Sequence, residues 1–263
     1  QKTHRGGPVY AEERQQAIAE LVRSSGRASV TELALEFAVT TETVRRDLSA
    51  LAAAGVVRRV HGGAVLTPVP TVVESGLDER DRARADEKER IARAATLLLP
   101  EPGGSVVLDA GSTTSRLAGL LTRDTRLTVF THGVPVASRV AVLPHVQLHL
   151  LPGRVRTPTQ AAVGAETVRS IGQLRVDVAF LGANGISVGH GFSTPDADEA
   201  AVKAALVRAA RHVVVLADST KLGRDATVSF ADLAQVDTLV TDADAPDSLV
   251  GALRAHGVAV ILT

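Results

Sequence analysis

From Val106 onward the chain alternates short apolar runs with segments rich in small residues, and this constrains its fold more than any other feature. Ser105–Asp109, Leu127–Thr131, Val146–Leu150, Val176–Gly182, His212–Ala217, Val236–Thr241 and Val258–Leu262 read as strands. Ser115–Leu121, Pro135–Val142, Glu166–Ile171, Asp198–Ala210 and Asp247–His256 read as the helices between them. Strand and helix in alternation predict an open, largely parallel α/β sheet with helices on both faces. With 45% hydrophobic residues there is ample apolar material for such a core. Apolar runs such as Thr96–Leu99 and Val213–Ala217 are far shorter than the ~20 residues of a membrane helix, and Gln1–Ala11 lacks a signal-peptide core. No membrane association is expected.

The first quarter follows a different pattern. Glu13–Ser24 places Ala17, Ile18, Leu21 and Val22 at helical spacing, and Glu32–Phe37 makes a second, shorter helix. A third starts at a Thr40/Thr41 cap, buries Val44, Leu48 and Leu51, and stops at Gly55. Val56–Val60, a His61-Gly62-Gly63 turn and Ala64–Leu66 then form a small hairpin. That order is a winged helix-turn-helix, expected over residues 12–67. Pro68 and Pro70 mark a linker over 68–78, and Glu79–Leu99 reads as one long charged helix opening an α/β domain over 79–263.

Net charge is +0, with 29 Lys+Arg against 29 Asp+Glu, so the location of the arginines matters more than their number. Arg45 and Arg46 lie early in the third helix, and Arg58 and Arg59 in the hairpin. Thr41, Thr43 and His61 flank them. On a solvated face these residues do nothing special; on a helix laid in the major groove, arginine donates to guanine or clamps phosphate and threonine reaches phosphate or a thymine methyl. The turn spacing, the Gly55 stop and the wing together favour the groove, and a double-stranded DNA partner bound by a homo-oligomer on paired half-sites.

In the larger domain Asp109-Ala110-Gly111-Ser112-Thr113-Thr114 stands where a strand ends and a helix begins. The segment suits either a plain helix cap after a glycine turn or an anion site of hydroxyls and helix-terminal N–H groups. Other loops at strand C-termini should meet at the same crevice, bringing His132, Arg154, Asn184, Asp218 and Lys221. Asp196, Asp198, Glu199 and Lys203 open a helix, where Glu199 and Lys203 have the spacing of an ordinary surface pair as well as that of site residues. His145 and His149 stand four apart, but in a segment read as a strand and not on one face of a helix; His132, His190, His212 and His256 add no such spacing, and no His-Glu-x-x-His, GxGxxG or Walker sequence is present, so neither metal nor cofactor is expected. Cysteine is absent. That excludes disulfides, thiolate metal sites and a cysteine nucleophile, and fits a reducing, cytoplasmic setting.

Thr43-Val44-Arg45-Arg46-Asp47-Leu48 followed by Arg59-Val60-His61-Gly62-Gly63-Ala64 resembles the recognition helix and wing of the DeoR-type bacterial transcriptional regulators. Leu108–Thr114, Asp177–Ile186 and Asp218–Lys221 resemble that family's sugar-phosphate-sensing half, whose fold is similar to ribose-5-phosphate isomerase and coenzyme A transferases. His132 stands where the family often has asparagine, and Arg154 where a second glycine is frequent. Leu151–Gly164 resembles the fructose-operon repressor branch, which implies fructose 1-phosphate or fructose 1,6-bisphosphate as effector. The resemblance implies a DNA-binding regulator, not an enzyme. The competing reading is a sugar-phosphate isomerase with Asp109, Asp218 or Glu199 as acid or base and Lys221 or Lys203 on phosphate; such an enzyme has no use for residues 13–66.

Overall fold

The computed structural model describes residues 11–25, 27–53, 57–60, 62–66 and 76–263, which fall into two compact units divided between Pro70 and Thr71. The expected linker over 68–78 lies largely outside the described residues, as do Gly55 and His61.

In the N-terminal unit three helices, α1 (Ala11–Ser25), α2 (Val30–Glu36) and α3 (Thr41–Ala53), pack with a three-stranded antiparallel sheet of β1 (Arg27–Ser29), β2 (Val57–Val60) and β3 (Gly63–Leu66) in the order β1-β3-β2. Ile18, Val22, Leu33, Val44, Leu48 and Leu51 form its core. Ser29 caps α2 in a capping box with Glu32. β1 is an addition to the expected hairpin, too short to leave a periodic signal. It also explains Gly63: a Cβ there would lie 2.2 Å from the Ala28 carbonyl oxygen, so only glycine lets the two strands approach.

The C-terminal unit begins with α4 (Leu77–Arg82) and α5 (Ala85–Ala95), then β4 (Ser105–Leu108), α6 (Ser112–Gly119), β5 (Thr128–Thr131), α7 (Val134–Val140) and β6 (Gln147–Leu150). After them come β7 (Arg154–Arg156), β8 (Ala161–Val163), α8 (Ala165–Gly172), β9 (Val176–Gly182), β10 (Gly185–Ser187), β11 (Gly191–Thr194), α9 (Ala197–Ala209) and β12 (Ala210–Leu216). The chain ends in β13 (Val228–Ala231), β14 (Thr238–Thr241), α10 (Asp247–Ala255) and β15 (Ala259–Leu262). Seven strands form one parallel sheet in the order β15-β14-β12-β9-β4-β5-β6. Side chains alternate across it. Val106, Leu108, Val178 and Phe180 pack with α5, α6 and α7, whereas Val107, Ala179 and Leu181 pack with α8, α9 and α10. The three layers are those expected from the alternation of runs.

Three short sheet pieces escape that pattern: β1, the β7-β8 hairpin, and a second antiparallel sheet, β10-β11-β13. Their strands have only three or four residues, too few to show a period along the sequence. The long helix expected over Glu79–Leu99 is broken in two. Ala83 ends α4 and Arg84 adopts a left-handed conformation, φ 56° and ψ 43°, before α5 starts. Among the described residues no helix is long and apolar enough to cross a membrane.

Candidate functional site

The chain leaves β4 toward β5 and β6 on one side and returns to β9, β12, β14 and β15 on the other, so strand order reverses between β4 and β9. At such a reversal the loops after neighbouring strands diverge and open a crevice at the strand C-termini. A cavity of about 170 Å³ lies there. It is lined by Gly111–Thr114 after β4, Gly182 and Ala183 at the end of β9, and Leu216–Asp218, Thr220 and Lys221 after β12. Glu79 and Arg80 of α4, Ala83 and Arg84 of the break after it, and Lys88 of α5 close the other wall.

Gly111 caps α6 without a side-chain hydrogen bond, so the first turn of the helix keeps its outward N–H groups for a ligand. Its φ of 163° is ordinary extended backbone, and an added Cβ would come 3.3 Å from Thr114 Oγ1. Gly111 therefore provides room, not an unusual backbone conformation. Around this positive helix end stand the cations Arg80, Arg84, Lys88 and Lys221. Burial lowers the Lys221 ammonium from its ordinary value, Asp218 opposes the shift, and Arg80 and Arg224 add to it. Arg84 reaches Asp242 at 3.0 Å and Asp244 at 2.9 Å. Helix end and cations together can hold a phosphoryl group.

Asp109, His132 and Lys203 form a buried network beneath the cavity instead of lining it. Asp109 accepts from the Gly182 N–H at 2.8 Å and lies 2.8 Å from His132 Nε2. Lys203 donates to Asp109 and, at 2.9 Å, to the Gly182 carbonyl. His132 Nδ1 donates to the Ala162 carbonyl at 2.9 Å. Burial works to raise the Asp109 carboxyl, but the charge of Lys203 and the His132 contact outweigh it and hold the group well below the usual carboxylate range. Lys203, read from spacing as a surface neighbour of Glu199, is only 4% exposed and is neutralised by Asp109.

The remaining candidates stand apart from the lining. Glu199 meets Arg156 at 2.5 Å and accepts from Thr159. Asp196 caps α9 and pairs with Arg156 at 3.2 Å. Arg154 forms an exposed pair with Asp198 at 2.7 Å, and the Asn184 side chain accepts from Thr194 at 3.2 Å. Arg80, Arg84 and Lys88 were not among the residues singled out from the sequence. They sit in what reads as a uniformly charged helix, where each cation looks solvated; the helix break that turns them inward has no local sequence signal.

In the N-terminal unit Thr40 caps α3 through the Thr43 N–H at 3.2 Å. Thr41, Arg45, Arg46 and Arg59 are exposed and Thr43 is half-buried. Among the described residues the Arg45 side chain makes a surface pair with Glu42 at 3.4 Å. Arg59 donates to Ser49 at 3.0 Å, tying the wing to α3. Asp47, not singled out from the sequence, is buried and grips Arg14 at 2.6 Å and Gln15 at 3.0 Å, which sets α3 against α1.

Residues 14–68 match the DeoR-like helix-turn-helix domain, and residues 83–243 match the DeoR C terminal sensor domain. The chain is 33% identical over 244 residues to the glycerol-3-phosphate regulon repressor of Escherichia coli K12, spanning 93% of this chain and 96% of that protein. It is 34% identical over 233 residues to the uncharacterized HTH-type transcriptional regulator FruR of Bacillus subtilis 168, spanning 88% and 91%. Among solved structures it is similar to ribose 5-phosphate isomerase A of Methanocaldococcus jannaschii at 18% identity and TM-score 0.39, over 53% of this chain and 55% of that one, too slight a likeness to carry an argument. Two domain matches that account for both units, together with relatives that are regulators along their whole length, establish that the chain belongs to the DeoR family of transcriptional regulators.

Proposed function

We propose that the chain is a repressor of a sugar-utilisation operon, released from double-stranded operator DNA when its sensor domain binds a phosphorylated sugar. In this reading residues 12–67 read DNA, 68–78 join the halves, and 79–263 sense the effector. The observation that carries it is the uncapped start of α6 facing Lys88 and Lys221 across one cavity, an arrangement made for a phosphoryl dianion. Fructose 1-phosphate or fructose 1,6-bisphosphate is the effector proposed, supported by the Leu151–Gly164 segment and by likeness to the Bacillus subtilis regulator named above. DNA is read by Arg45 and Arg46 from α3, with Thr41, Thr43, Arg58, Arg59 and His61 on the phosphates around them. A homo-oligomer places two such helices on paired half-sites.

A gel-shift titration against the DNA upstream of the chain's own gene tests this, run with a panel of sugar phosphates that includes the two fructose phosphates and glycerol 3-phosphate. Operator binding that is reversed by a fructose phosphate is the expected result. Release by glycerol 3-phosphate or another sugar phosphate, but by neither fructose phosphate, overturns the fructose assignment, and release by no member of the panel overturns the phosphorylated-sugar reading.

A further inference from the structure

Among the described residues Lys88 is a buried cation, 5% exposed, with no carboxylate at ion-pair distance. Its ammonium donates to the backbone carbonyls of Arg80 and Ala83, the latter at 2.7 Å. Both carbonyls belong to the end of α4, whose partial negative charge is a weak substitute for a carboxylate. Two of its three N–H donors are used in this way. The groups facing it are Arg80 and Asp81 from α4 and Asp218 and Lys221 from the turn after β12. Burial pulls its pKa down to about 8; Asp218 resists this, and Lys221 and Arg80 add to it. A buried ammonium so poorly compensated, opening on a cavity that also holds a helix N-terminus, lacks a counter-ion that a ligand can supply.

We infer that Lys88 is the group through which the cavity registers its occupant: an entering phosphoryl dianion becomes the ammonium's counter-ion, draws it off the Arg80 and Ala83 carbonyls, and loosens the last turn of α4. The inference rests on the effector reading above and adds the residue that transmits it. Along the chain α4 is the first described element after residues 67–75, so a change in its last turn arises near the point where the chain enters the sensor unit.

Hydrogen exchange and calorimetry on the full chain test it, with inorganic phosphate as the probe. Phosphate should slow exchange at residues 112–114 and speed it several-fold at residues 80–84, where the Ala83 N–H bonds the Glu79 carbonyl at 3.0 Å. Lys88→Met should weaken phosphate binding about tenfold and leave exchange at 80–84 indifferent to phosphate. It should also melt no lower than wild type, because it removes an uncompensated buried charge. Lys88→Arg, which keeps the charge, should retain binding. If phosphate protects 112–114 while exchange at 80–84 stays constant or slows, or if Lys88→Met binds as tightly as wild type, the role of Lys88 is overturned and the cavity stands. If phosphate fails to protect 112–114 in wild type, the cavity reading falls with it.

Discussion

Asp109 shows how a residue read from the sequence as a ligand contact acquires a different task from its surroundings. Its carboxylate neutralises Lys203 and orders the Gly182 backbone at the cavity floor. Asp109→Ala leaves the Lys203 ammonium buried with the Gly182 carbonyl but no carboxylate to balance its charge, which should cost about 3–5 kcal/mol in urea unfolding near neutral pH. The pH sign follows from the lowered carboxyl. Its folded-state pKa lies below the unfolded value of about 3.9, so the contribution is complete above that value and is lost as pH falls toward the folded one. Wild type should therefore lose stability on acidification more steeply than Asp109→Ala, as chemical denaturation at a series of acidic pH values will show. On the DNA side, Arg45→Ala and Arg46→Ala should each cost about 1–3 kcal/mol of operator affinity, because the Glu42 contact of Arg45 is an exposed pair too weak to withhold it. Fluorescence anisotropy with operator and unrelated DNA measures this, and Arg59→Ala should weaken both DNAs alike and flatten the salt dependence.

At the scale of the element, the break between α4 and α5 sets the cavity wall. Arg84 holds a left-handed backbone that a non-glycine residue adopts at a cost of about 1–2 kcal/mol, and its guanidinium bonds to Asp242, Asp244 and Ser219 keep it there. Arg84→Ala loses those bonds and keeps the strain; Arg84→Gly loses both. The glycine variant should accordingly be the more stable of the two by about 1 kcal/mol in urea melts. This break was not legible, since Ala83-Arg84 contains neither glycine nor proline and lies within a run that suits a continuous helix. The start of α6 was legible, because an apolar strand followed by glycine and three hydroxyl residues carries its own signal. Gly111→Val tests that segment without backbone strain: it should narrow the cavity and weaken effector binding while leaving operator affinity intact, both read by calorimetry and anisotropy.

For the whole molecule, the proposed function puts effector and operator on different units, so repression requires a coupling between them. By linkage that coupling is reciprocal. An effector that lowers operator affinity must bind more weakly to the DNA-bound protein by the same factor, a coupling of typically 1–3 kcal/mol. Titrating fructose 1-phosphate into free and operator-bound protein should give two affinities whose ratio equals the loss of operator affinity at saturating effector. Equal affinities in both states would mean that the sensor does not control DNA binding.

The alternation of apolar runs determined by itself that the larger unit is a parallel sheet between helices. Helical spacing with caps likewise determined the three N-terminal helices. These signals are local, because burial on a strand or helix face repeats with the period of the element itself. Which charges meet was decided only by the tertiary structure. Asp109 and Lys203 are 94 residues apart in the chain, and Arg84 and Asp242 are 158. Lys88 has an ordinary place in a charged helix and becomes a buried cation, with no ion pair among the described residues, only when α4, α5 and the turn after β12 close around it. Charge pairing and desolvation depend on what the fold brings within a few ångströms, and no periodicity along the chain records that.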